Sequence, residues 1–235
     1  MITQDLIDLF RKQVSDVDEP RLWDDIEVFQ YLVDAQDMFV RKMGGFSDYT
    51  TTALTDIAVV KGQPFTKHSK YILRIRSGKF LNARKSVDFI SEADLTLKIN
   101  THTATNLIGD YGWTLPSFMD DHDVGPVRWG ILGVQDHAIR WWRVPPESDT
   151  VRLHIYRLPY PRMVDEDSEL EIDEQHHLHL IMWMKYLAYS KEDAETYDKD
   201  LSERNKAAFL EYCDMAKAEK DRQRFKPRIV HYGGY

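Results

Sequence analysis

Residues 171–183 read EIDEQHHLHLIMW. Three histidines, His176, His177 and His179, fall within four positions, directly after a run of carboxylates. The stretch is either a metal site or the first turns of a helix. A helical zinc site needs two ligands spaced i, i+3 or i, i+4 and a third from elsewhere. His176 and His179 have the i, i+3 spacing. No HExxH motif accompanies them, and the chain has one cysteine, Cys213, so no cysteine pair can complete a site. Asp173 and Glu174 are the acidic residues that the positive end of a helix dipole attracts. The stretch therefore reads as a helix from about Asp173 to Tyr189, without metal or cofactor. That reading decides the fold, because it makes the C-terminal third helical, like the N-terminal fifth.

Working outward, residues 165–174 (DEDSELEIDE) carry seven acidic residues in ten positions. After the helix, SKEDAETYD is a break. A longer helix follows, with Leu201, Ala208, Phe209, Tyr212, Met215 and Ala216 on one face. At the other end, residues 1–44 predict two helices. In the first, Leu6, Leu9, Phe10 and Val14 keep helical spacing, with Thr3 as candidate cap. SDVDEP with Pro20 separates the two. The second has Asp24 as N-cap, Glu27 for a capping box, and Trp23 placed to staple onto Val28. Val28, Phe29, Leu32, Val33, Gln36, Phe39 and Val40 make its apolar face, and Gly44-Gly45 stops it.

Between these ends the pattern changes. β-Branched and aromatic residues rise, and glycine and proline recur at short intervals. KYILRIR alternates and is expected to turn at Ser77-Gly78 into KFLNARKSV. VRWGILGV and AIRWWRV form a hairpin across Gln135-Asp136-His137. DTVRLHIYRLP alternates Val151, Leu153 and Ile155 against Arg152, His154 and Tyr156. Residues 101–126 read as a long loop. The expected fold is α+β: a helical bundle of N- and C-terminal helices (1–49 and 165–225), an inserted antiparallel β-sandwich or barrel-like domain (50–164), and an extended C-terminal arm (226–235). Neither helical pair easily buries its apolar face alone, so the two are expected to pack together.

Composition narrows the class. The chain has 235 residues, 43% apolar and 30% charged, with net charge −8. These are globular values, and the negative balance argues against broad nucleic-acid coating. A lone cysteine fits a reducing compartment. MITQDLIDLFRKQ has charges where a signal peptide has an apolar run, and no run approaches the ~20 apolar residues that span a bilayer. No GxSxG, GxGxxG or GxxxxGK[ST] occurs. DDHD, Asp120–Asp123, is a second acidic-histidine cluster without the glycine spacing of an EF-hand. Trp129, Trp141 and Trp142 are a third candidate. Trp141 and Trp142 face opposite sides of a strand, so one belongs to the core and the other is a candidate partner contact. An exposed tryptophan beside Arg140 or Arg143 can also stack on a sugar or base.

Three stretches in order carry a resemblance. In DVDEPRLWDDIEVFQYLVDAQDMFVRK, an acidic residue, a proline and a tryptophan precede a cap, and the helix bears Asp34-Ala35-Gln36. TVRLHIYRLPYPRM closes the β region. HHLHLIMWMKYLAYSKEDAETYDKDLSERNKAAFLEYCD joins a His-bearing helix with His176, His177 and Ala188 to a corner, Asp193-Glu195-Thr196, and a long helix with Phe209. This pattern resembles the head–tail adaptor (connector) proteins of tailed bacteriophages, particularly the short-tailed type. The resemblance covers both ends of the chain and is loose over 55–145.

The resemblance implies a structural virion protein, not an enzyme. It would be made in the host bacterial cytoplasm and act at the head–tail junction. Copies would form a ring, a dodecamer in the family, below the portal protein. The ring would extend the DNA channel and dock a tail nozzle or hub protein. Viral DNA would pass without sequence-specific binding, and no membrane is involved. Acidic 165–174 against Lys217, Lys220, Arg222, Arg224, Lys226 and Arg228 suits either head-to-tail pairing of copies or an acidic channel wall. In the arm, Pro227 ends the preceding helix, and Ile229, Val230, His231 and Tyr232 are β-prone. Lys226, Pro227, Arg228 and these four are the expected portal-binding segment. Two rival classes remain open: a carbohydrate- or nucleic-acid-binding module using Trp141 or Trp142, and a metal hydrolase using His176, His179 and Asp120–Asp123.

Overall fold

The computed structural model describes residues 3–94, 121–165, 168–192 and 196–224. It is mixed α and β, and the chain divides into two compact units: Met1–Gly45 with Pro159–Tyr235, and Phe46–Leu158. The extended arm and the corner residues Asp193 and Glu195 lie outside the described residues, as does most of 101–126.

Among the described residues, the first unit holds four α-helices: α1 (Thr3–Gln13), α2 (Asp25–Lys42), α4 (His177–Ser190) and α5 (Lys199–Arg224). Helix α4 is apolar nearly all round, as a helix enclosed by others must be; it packs on α1, α2 and α5. Leu180, Met184 and Ala188 are fully buried, against a core that includes Leu6, Phe10, Val28, Leu32 and Phe209. A 3-10 turn, Glu174–His176, precedes α4, so regular helix begins later than Asp173.

Four local expectations need correction. Asp24 sits at the α2 N-cap, but its side chain makes no capping bond. Glu27 accepts from the Tyr31 hydroxyl at 2.7 Å and from Lys191 at 3.0 Å, so it makes no capping box. Thr3 lies within α1 and donates its hydroxyl to the Ser168 carbonyl. The buried positions of α5 are Ser202, Phe209, Cys213 and Ala216, while Ala208 and Met215 are exposed. In each case a tertiary partner or register outweighs a local preference. The end of α2 follows the expected chemistry: Gly44 and Gly45 take positive φ, and the Gly45 amide returns to the Val40 carbonyl.

Among the described residues, the second unit is one curled eight-stranded sheet with a short helix, α3 (Thr52–Thr55), and a helical stretch at 92–94. The strands are β1 (Phe46–Asp48), β2 (Asp56–Val59), β3 (Phe65–Lys67), β4 (Ile72–Phe80), β5 (Ser86–Ser91), β6 (Trp129–Leu132), β7 (Ala138–Trp141) and β8 (Asp149–Arg157). Their order is β1-β8-β4-β5-β6-β7-β3, with β2 also paired to β8. The sheet is not wholly antiparallel: β5 and β6 run parallel. The 37 residues between Ser91 and Trp129 supply the long crossover that parallel strands require. In β8, Val151, Leu153 and Ile155 are fully buried as the alternation predicts, and from Tyr156 onward both faces are covered.

Ser77-Gly78 is not a turn. β4 continues to Phe80 and the reversal comes at 81–85, where Arg84 takes positive φ. Gly78 serves close packing instead: a Cβ there would lie 3.1 Å from Leu153, Phe89 and Val151. Gly130 is tighter, with a Cβ meeting the Phe89 ring at 2.6 Å. Gly130→Ala is therefore expected to lower stability by about 1–3 kcal/mol through overpacking. Phe89→Leu added to the same chain should recover part of that loss. Denaturant unfolding of both variants measures it; an unchanged midpoint for Gly130→Ala would refute the close approach.

Candidate functional site

The histidines of the opening stretch are packing residues in this structure. His176 Nδ1 lies 2.7 Å from the Tyr212 hydroxyl, and its ring sits 4.9 Å from Phe39. His179 stacks on Tyr212 with centroids 3.4 Å apart. His177 is buried, its Nε2 2.8 Å from the Ile172 carbonyl. Among the described residues, no group of three or more His, Cys, Asp or Glu is arranged to hold a metal ion. Of the second cluster, Asp121 pairs with Arg140 at 2.7 Å and Asp123 with Arg143 at 3.1 Å; Asp120 lies outside the described residues. Burial pushes the Cys213 thiol up to about 12, which leaves no thiolate for chemistry at neutral pH.

The tryptophans separate as strand geometry requires. Trp141 is fully buried, and its indole N–H donates to Thr66 Oγ1 at 2.8 Å. It is a core residue and cannot be the partner contact. Trp142, half-buried, remains. Arg140 is itself buried, with its guanidinium on the Trp141 and Pro64 carbonyls and over the Phe65 ring. It is thus built into the sheet and does not form a stacking site with an exposed tryptophan.

Two other features are surfaces. A groove of about 1100 Å³ in the helical unit is lined by Ile26, Phe29, Val33, Asp34, Met163 and Val164, among others. Ile26 is 74% exposed and Val164 82%, high values for large apolar side chains. Sequence reading missed this groove, because Ile26 falls outside the buried stripe of α2 and Val164 stands directly before the acidic run. On α5, Lys220 donates to the Met43 and Gly45 carbonyls, so this member of the expected basic set is engaged within the unit. Among the described residues, no helix is long and apolar enough to cross a membrane.

The electrostatics of the histidine cluster give a pH prediction. Burial pushes His176 and His179 toward the neutral form; for His176 this outweighs the opposing Asp173 and Glu219 charges. In the unfolded chain both titrate near ~6.5. Folded, they hold protons less readily, so their contribution is complete above that pH and is lost as pH falls through the lower folded values. The melting temperature should be flat from neutral to mildly alkaline pH and decline below about 6.5. His176→Asn with His179→Asn should flatten that limb while lowering the plateau. Asp48 adds a separate limb at stronger acid. Burial alone would raise its pKa, but hydrogen bonds from Thr51, Arg157 and Thr50 hold it well below the usual carboxylate range.

The profile of the SU10 adaptor protein family matches residues 1–230. No curated protein sequence matches the chain. A match of that extent shows the family: the chain belongs to the SU10 adaptor proteins, as a phage adaptor.

Proposed function

We propose that this chain is a structural head-to-tail adaptor. In this reading its copies form a ring below the portal, continue the DNA channel and give the tail its docking surface. The observation that carries it is the family match across residues 1–230. The geometry agrees with a part that binds and does not react. The opening histidines are spent on aromatic packing, the lone thiol is suppressed, and the carboxylates of Asp121 and Asp123 are paired to arginines. What the molecule offers is surface: the groove at Ile26 and Val164, the half-buried Trp142, and the acidic stretch before α4.

In the proposed assembly, residues 226–232 dock on the portal, with Ile229, Val230 and Tyr232 as anchors and Lys226 and Arg228 meeting acidic groups. Trp142 is a contact for the tail component. The ring is expected to form on the portal and to be weak in its absence. Cryo-electron microscopy of the protein mixed with portal tests the reading directly. Rings seated on the portal support it, and no association removes it.

Truncation after Arg224 isolates the arm. The shortened chain should melt at nearly the full-length temperature. Its affinity for portal rings should fall at least about tenfold, equivalent to about 1.4 kcal/mol. Equal affinity of the two chains would remove the arm from the assignment.

A further inference from the structure

Residues 57–87 contain eight lysines and arginines and no aspartate or glutamate, in a chain whose net charge is −8. The stretch covers most of β2, all of β3 and β4, and the start of β5. All eight cations are exposed. None forms an ion pair with a described residue; the pairs of this unit belong to Arg140, Arg143, Arg152 and Arg157. Apolar side chains lie among them: Val60 is 50% exposed, Leu73 36% and Leu81 38%.

The helical unit carries the opposite pattern. Asp165, Glu169 and Asp173 form no ion pair among the described residues, and Val164, 82% exposed, stands directly before them. Lys220 of α5, a cation that charge segregation alone would assign to this acidic stretch, is engaged with backbone carbonyls of its own unit.

We infer that the basic β4–β5 hairpin of one copy, with Arg76, Lys79 and Lys85, docks on the acidic stretch at Val164, Asp165, Glu169 and Asp173 of the next copy. The inference rests on the proposed ring and identifies its copy-to-copy surface. Because the two surfaces differ, the contact is heterologous, the type that generates a ring when its rotation closes. Each exposed pair is weak by itself. A set of complementary charges fixes orientation and speeds encounter, and excludes pairing of like faces. The exposed Leu73 and Leu81 favour a protein partner over a phosphate backbone. Phosphates need only cations, whereas protein interfaces place apolar contacts within a polar rim.

The test uses full-length chains: wild type, Arg76→Glu/Lys79→Glu/Lys85→Glu, and Glu169→Lys/Asp173→Lys. All substituted side chains are surface positions, and circular dichroism melting checks that both variants fold. Sedimentation velocity at high protein concentration and low salt reads self-association, and carbodiimide cross-linking of mixed isotope-labelled chains reads which stretches meet. Wild type should associate and yield cross-links between 57–87 and 165–173. Each variant alone should associate at least about tenfold more weakly, since each now sets like charges face to face. An equimolar mixture of the two should recover association, because each reversed surface meets a reversed partner. A wild type that stays monomeric without these cross-links, or a mixture that does not recover, overturns the proposal. So does random-sequence duplex DNA binding that the first variant loses while its self-association is unchanged; that result assigns the face to nucleic acid. Loss of portal binding with copy-to-copy pairing intact would count against the adaptor reading and not against this one.

Discussion

The β unit depends on one pairing. Phe46, where the chain enters it, lies opposite Arg157, where the chain leaves. An inserted unit must bring its two ends together, and here the β1–β8 ladder does so. Asp48 secures the joint from inside. One oxygen meets Arg157 Nε at 2.5 Å, and the other accepts the amides of Thr50 at 2.8 Å and Thr51 at 3.1 Å. Those two amides lie just before α3, so the same carboxylate closes the sheet edge and shapes the turn into the short helix. β8 then serves as template on both sides, for β4 along its length and for β1 and β2 on the other.

Asp48–Arg157 is one of three similar devices. Arg11, buried between α1 and α2, meets Asp16 at 2.5 Å and Asp25 at 2.6 Å, and donates to the Trp23 carbonyl at 3.0 Å. Arg140 bonds the Trp141 and Pro64 carbonyls as well as Asp121. Arg157 also donates to the Leu158 carbonyl at 3.0 Å. In every case the guanidinium fork satisfies backbone carbonyls beside a strand end or connection, together with a carboxylate. A lysine has no planar fork and would fix fewer of these groups at once. Buried pairs of this kind do not by themselves imply stability, but removing one partner leaves an uncompensated charge. These three sites therefore tie down irregular chain that hydrophobic packing alone would leave undefined.

This accounts for what the amino-acid pattern showed and what it hid. The long helices were legible because their periodicity coincides with burial: Val28, Leu32, Val33, Gln36, Phe39 and Val40 of α2 are all inside. The β8 alternation was legible for the same reason. Local capping was not. Glu27 was claimed by Tyr31, one helical turn on, and by Lys191, 164 residues away, which no local rule can see. Gly78 misled because glycine signals a turn and a close approach equally well, and only the neighbouring Phe89 and Leu153 decide between them. The parallel β5–β6 pair was hidden by a crossover that resembles an irregular loop. Of the surfaces, Trp142 was narrowed from an open pair by strand alternation, whereas the groove at Ile26 and Val164 had no sequence period to announce it.

The histidines show how a chemically suggestive motif is settled by its surroundings. Three imidazoles in four residues are compatible with a ligand set until the facing helix is known. Helix α5 brings Tyr212 between His176 and His179, and α2 brings Phe39 against His176. The aromatic faces favour neutral, desolvated rings, and the tyrosine hydroxyl occupies a ring nitrogen that a metal would need. The same arrangement joins α2, α4 and α5 at one point, so its loss would loosen the helical unit. A motif that metal chemistry and helix packing can both use becomes, with these neighbours, part of the scaffold.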